Sequence, residues 1–100
     1  MKINFLTLTE IKEDRKTLGD KNFVLKEIII NPQYIVMITG DTQLKNKLIS
    51  FETWPTGLDK RVDFTRIHIN TGSNHFSSNI IVVGNYVTIL EKISEAQHGI

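Results

Sequence analysis

The sequence predicts an α+β fold: an antiparallel β-meander of about five to six strands, open or barrel-like, with one C-terminal helix. Three observations predict it. Short β-branched runs such as "EIII", "YIVMI" and "NIIVV" recur along the chain. Gly, Asn, Asp and Pro punctuate them at turn-like intervals. Only the tail carries apolar residues at helical spacing.

Each element follows in order. A first strand is expected at about 2–9, where Ile3 and Phe5 alternate with polar neighbours before Leu6 and Leu8 take the other phase. "IKEDRKTLGDKN" reads as a solvated connection with a Gly19-Asp20 turn. The second strand is "NFVLKEIII", residues 22–30, and "NPQ" ends it because Pro32 lacks an amide hydrogen. "YIVMIT" is continuously apolar, as a central strand covered on both faces would be.

After "GDTQ", the alternation of Ile49, Phe51 and Thr53 against Leu48, Ser50 and Glu52 suggests a strand. Pro55 and Gly57 then suit the second and fourth positions of a turn. Residues 41–64 therefore read as a hairpin extension of a single domain spanning 1–100, with "KRVDFTRIHIN" as the returning strand. Val62 and Phe64 sit on even positions and Ile67 and Ile69 on odd ones, which predicts a bulge near Thr65-Arg66. Arg66, His68 and Asn70 share the polar face. "HFSSNIIVVG" returns as the last strand. In "NYVTILEKISEAQHG", Val87, Leu90, Ile93 and Tyr86 form the stripe, Asn85 the N-cap and Gly99 the stop.

Composition bounds the function. With 40% hydrophobic and 23% charged residues, the chain lies in the ordinary globular range. It has no cysteine, which removes disulfides, thiolate metal sites and cysteine nucleophiles. The net charge of +1 is spread without a basic stripe. The start is no signal peptide, and no apolar run approaches a membrane span. The expectation is a cytoplasmic protein with no membrane association.

Little chemistry converges. His68 and His75 lie on opposite arms of a predicted turn, but no carboxylate has an obvious place beside them, so no metal site is expected. Ser73, Ser77 and Ser78 lie near His75 without a nucleophile elbow or an orienting acid. No phosphate-cradling loop appears, no cofactor is implied, and the chain reads as not an enzyme.

The one cluster with the composition of a contact surface is "FETWPTGLDKR", residues 51–61. Trp54 there is either a plug over the turn, its indole N–H held by a carbonyl, or an aromatic anchor shown to a partner. Trp54, Lys60, Arg61 and Arg66 are the candidate partner-binding residues. The same residues, with Lys45 and Lys47, admit a rival reading as a platform for single-stranded nucleic acid, which Glu52, Asp59 and Asp63 dilute.

"IIINPQYIVMI", "TRIHINTG" and "NIIVVGNYVTILEKI" together resemble the core pattern of small FlbD-like bacterial regulatory proteins, and the first half of LytTR-type DNA-binding domains. The resemblance covers about half the chain. The region from Gly40 to Phe64 stands where the family has a short turn, and no DNA-reading residue carries over. The resemblance implies a small regulatory or adaptor domain without catalytic machinery. The reading from sequence is therefore a non-catalytic protein-interaction module that contacts its partner through residues 51–61. Its edge strands offer a route to homo-oligomers. The alternatives are a single-stranded nucleic-acid binder and an inhibitor of a host protein encoded by a phage or mobile element.

Overall fold

The computed structural model describes residues 4–14, 22–50, 52–70, 72 and 77–98. Among these residues five strands form one open sheet: β1 (Leu6–Asp14), β2 (Asn22–Ile30), β3 (Ile35–Gly40), β4 (Phe64–Asn70) and β5 (Ser77–Val83). They are accompanied by the helices α1 (Thr42–Ser50) and α2 (Tyr86–His98). The sheet order is β2-β1-β5-β4-β3, and all neighbours are antiparallel. The α+β class expected from sequence is correct, but the order is not a simple meander, because β2 and β3 are the two edges.

Side-chain parity explains the layers. On β1, β4 and β5, Leu6, Leu8, Ile67, Val82 and their partly buried neighbours Ile69 and Ile80 face α2 and meet its Ile89 and Ile93. The alternate residues Ile11, Phe64, Ile81 and Val83 face the other side, where Leu44 and Leu48 of α1 and the loop residues Trp54, Leu58 and Val62 cover them. Two cores thus sandwich one sheet.

This arrangement resolves the phase conflict in β4. Phe64 is buried on one face and Ile67 on the other, so both phases are apolar without an irregularity. The β4–β5 register runs unbroken from Phe64↔Val83 to Asn70↔Ser77. The expected bulge near Thr65-Arg66 does not exist; the register instead shifts in β3, between Ile35 and Met37.

Two further expectations are corrected. β1 does not end at residue 9. Ile11, only 3% exposed, opens the second core and carries the strand on to Asp14 against Asn22. β3 is not central: Val36 and Met37 are 64% and 51% exposed, because the run lies on an edge and its apolar character is not consumed by burial. The Gly19-Asp20 turn lies outside the described residues, as does Gly99.

The link between the two edge strands bends the sheet. A flat five-stranded sheet holds its edges about 19 Å apart, yet only residues 31–34 join β2 to β3, and Pro32–Tyr34 are wound into a 3-10 turn. Asn31 caps this turn by accepting a hydrogen bond from the Gln33 N–H at 3.0 Å. The sheet therefore coils, and Ile28 and Ile30 from one edge join the same cluster as Ile35 and Ile38 from the other.

α2 is the helix read from sequence, with Asn85 as its N-cap: the Asn85 Oδ1 accepts the Thr88 N–H at 2.9 Å. Its buried stripe is Ile89 and Ile93, however, while Tyr86, Val87 and Leu90 are half exposed. Gly84 sets the approach, with φ of +124° and room for a Cβ only at 3.2 Å from Ile89 Cδ1. No helix among the described residues is long and apolar enough to cross a membrane.

Candidate functional site

Where the sequence predicts one arm of a hairpin, residues 42–50 form α1. "GDTQ" is the start of this helix and not a strand-to-strand turn. The Asp41 Oδ1 accepts the Leu44 N–H at 3.0 Å, an N-cap, and Leu44 and Leu48 recur at helical spacing and are buried. The other oxygen of Asp41 is occupied too. Arg66 donates to Oδ2 through Nε at 3.1 Å and Nη2 at 2.8 Å, and also reaches the Asn79 side chain. One carboxylate thus starts the helix and fastens it to β4.

The helix stops by a different device. The Thr53 N–H bonds the Leu48 carbonyl at 3.0 Å and the Glu52 N–H the Ile49 carbonyl at 3.3 Å, the paired pattern of a Schellman cap. Its left-handed position, usually glycine, is Glu52 with φ of +54°. The chain then doubles back along the helix. Leu58 N–H closes a turn onto Pro55 O at 3.2 Å, and Gly57 supplies φ of +84° at the third position. Pro55 therefore opens the turn, one place from the position predicted for it.

Trp54 is the pin of this loop. Its indole N–H donates to Leu58 O at 2.7 Å. Its ring is tilted 54° against Phe64 with centroids 5.9 Å apart. Trp54 thus packs on the second core. It also lines an open groove of about 720 Å³, bounded by Leu48 and Ile49 of α1, by Glu52, and by Pro55, Gly57, Leu58 and Lys60 of the loop. Ile49 is 59% exposed on its wall. Of the two roles posed by the sequence for Trp54, the structure shows the plug, its indole N–H held by the Leu58 carbonyl, on a residue that also lines the groove.

The four residues nominated from sequence divide. Trp54 and Lys60 both line the groove, and Lys60 has no ion-pair partner among the described residues. Arg61 does not line it; its guanidinium is paired with Asp59 at 2.8 Å on the surface. This pair, and the Arg61 N–H on the same carboxylate at 2.8 Å, hold the Asp59 carboxyl below the usual carboxylate range. Arg66 lies at the opposite end of α1, bound to Asp41, which is 8% exposed. Ile49, Glu52 and Leu58 were not among the residues nominated from sequence, since the strand reading set Ile49 in a row with Phe51 and Thr53 and took Glu52 only as a charge diluting the surface.

His68 lies between Met37 and Asn79 in the register, while His75 and Ser73 lie outside the described residues. Among the described residues no three His, Asp or Glu side chains form a metal-binding group. No family model, no curated protein and no solved structure matches this chain.

Proposed function

We propose that this chain is a small, non-catalytic regulatory or adaptor module that binds a segment of another protein in the groove between the end of α1 and loop 54–60. The observation that carries this reading is that the exposed Ile49 and the half-buried Trp54 line one groove. Apolar walls with one anionic and one cationic rim residue, Glu52 and Lys60, suit a peptide segment with apolar side chains and an internal dipolar pattern of charge. Trp54 has the hallmark of an interface anchor because its own position is fixed from behind, so little freedom is lost on binding.

The geometry gives less support to the nucleic-acid reading. That reading needs free cations beside aromatic faces, whereas Arg61 and Arg66 each face a carboxylate.

The test uses the full chain as bait, with Trp54 emission as a second readout. A specific partner should be retained by the wild type and shift the Trp54 emission. Ile49→Glu should weaken it by about tenfold or more while the circular dichroism spectrum stays unchanged. A retained partner indifferent to Ile49→Glu and Lys60→Glu would refute the groove. Binding of a short oligonucleotide that weakens steeply with salt would favour the rival.

A further inference from the structure

The two free edges of the sheet differ in chemistry. β2 carries Lys26 and Glu27 at its centre, both exposed, which is how natural proteins blunt an edge. β3, "IVMITG", carries neither a charge nor a proline. Its bulge lies at its start, between Ile35 and Met37, so the Met37–Gly40 backbone remains regular, and its outer side has no strand neighbour among the described residues.

The helix beside this edge is uncharged on the same flank. Tyr86 lies over the end of β3, with its Cδ1 3.6 Å from the position a Cβ on Gly40 would take. At 100° per residue, Tyr86, Leu90, Ser94 and Gln97 share that flank of α2. Lys92 and Glu95 lie on the opposite flank, against Asn4–Thr7 of the β1 end. Tyr86 and Leu90 are 55% and 54% exposed, and Tyr34, at the entry to β3, is 43% exposed.

We infer that β3 and this flank of α2 form a homodimer interface, in which two copies pair their β3 strands antiparallel about a two-fold axis normal to the sheet. Such an axis reverses the strand but keeps the faces, so the two sheets become one of ten strands, with both α2 helices on the same side. Opposed residues must then have the same parity along the strand. On β3 every such register sets neutral residues against neutral ones. On β2, registers centred on its charged pair oppose Lys26 to Lys26 or Glu27 to Glu27, which the same symmetry penalises. The exposed parts of Tyr34, Val36, Met37, Tyr86 and Leu90 amount to roughly 500 Å² per copy, a large share of the ~800 Å² per partner of a standard interface before the paired backbone is counted.

Sedimentation equilibrium of the full chain tests the inference. The wild type should show twice the chain mass at about 50 μM, and Met37→Lys should raise the dimer dissociation constant by about tenfold or more, because a two-fold axis makes each substitution count twice. Leu90→Glu, on the solvent side of α2, should weaken the dimer without touching either core. Leu25→Lys on β2 should leave it intact, and so should Ile49→Glu, which separates this inference from the groove.

The cysteine-free chain allows a direct register test. Among Val36→Cys, Met37→Cys, Ile38→Cys and Thr39→Cys, the residue nearest the axis should cross-link to its own copy under oxidation, and Leu25→Cys should not. A single-chain mass at the highest attainable concentration overturns the inference. So does a dimer that survives Met37→Lys and Leu90→Glu.

Discussion

Two arginine–aspartate pairs lie within a few residues of each other in this chain, and they do opposite work. Arg66 meets Asp41 across 25 positions of sequence, on a carboxylate whose side chain is 5% exposed. Arg61 meets Asp59 across two positions, with the guanidinium 91% and the carboxylate 50% exposed. The two pairs have the same closest distance, 2.8 Å. Distance therefore does not distinguish them. The first joins a helix cap to a strand, so losing it frees an element; the second closes a local turn already defined by the backbone bond from Val62 N–H to Asp59 O.

Asp41→Ala should have the largest effect. It removes an N-cap, worth about 1 kcal/mol, and leaves a partly buried guanidinium without its carboxylate, about 2 kcal/mol more. A loss near 3 kcal/mol would lower the melting temperature by roughly 15 °C in a domain of this size. Asp41→Asn separates the two contributions, since asparagine caps equally well but carries no charge. It should recover about 1 kcal/mol of the loss. If both variants melt alike, the cap contributes nothing and the comparison rests on the ion pair alone.

Arg66→Ala should cost about 2 kcal/mol, less than Asp41→Ala, because the cap survives and the guanidinium is about one-third exposed. Combined with Asp41→Ala, the double variant should be far less destabilised than the sum, a coupling measurable by chemical denaturation. Full additivity would break the argument that the pair acts as one unit.

These residues also show what was legible in the sequence. β2, the Asn-Pro turn, β5 and α2 could be read because their signals are local: an apolar run, a missing amide hydrogen, a cap followed by a helical stripe. α1 could not be read. Its cap, Asp41, has its second partner 25 residues away, and the stretch around Leu48 and Ile49 satisfies a period of two as well as 3.6. The same non-locality misplaced β3, whose apolar run looks central, and Arg66, which looks like a surface cation until β4 is laid beside the start of α1. Within the candidate site, Trp54 and Lys60 were visible by type. Ile49 was not, because its exposure depends on the helix.

The far end of α1 provides a smaller effect of the opposite sign. Glu52 holds the left-handed position of the cap at φ +54°, a conformation costing an ordinary residue about 1 kcal/mol. Glu52→Gly should therefore stabilise the chain by about 0.5–1 kcal/mol despite the greater freedom glycine has when unfolded. In the proposed function the same substitution removes the anionic rim of the groove. A variant that is more stable and binds less would identify Glu52 as a residue kept for contact at the expense of stability. A loss of stability would mean that the side chain contributes more than its backbone conformation costs.

The smallest effect belongs to the exposed pair. Arg61 lowers the Asp59 carboxyl first through its side chain and second through its N–H, against a slight opposing contribution from burial. A lowered folded-state value contributes stability above the unfolded carboxylate range, near pH 4, and that contribution is lost as the pH falls through the folded value. Arg61→Ala should therefore move the Asp59 titration, followed by NMR, back toward the ordinary range. At neutral pH the melting temperature should fall by no more than about 1–2 °C, the small loss that the titration shift itself requires, because the pair stands in water and salt screens it. If Arg61→Ala lowers the melting temperature by clearly more than the titration shift accounts for, the turn at residues 59–62 is held by its side chains and not by its backbone. The loop behind Trp54 would then depend on the surface pair in the way that α1 depends on Arg66.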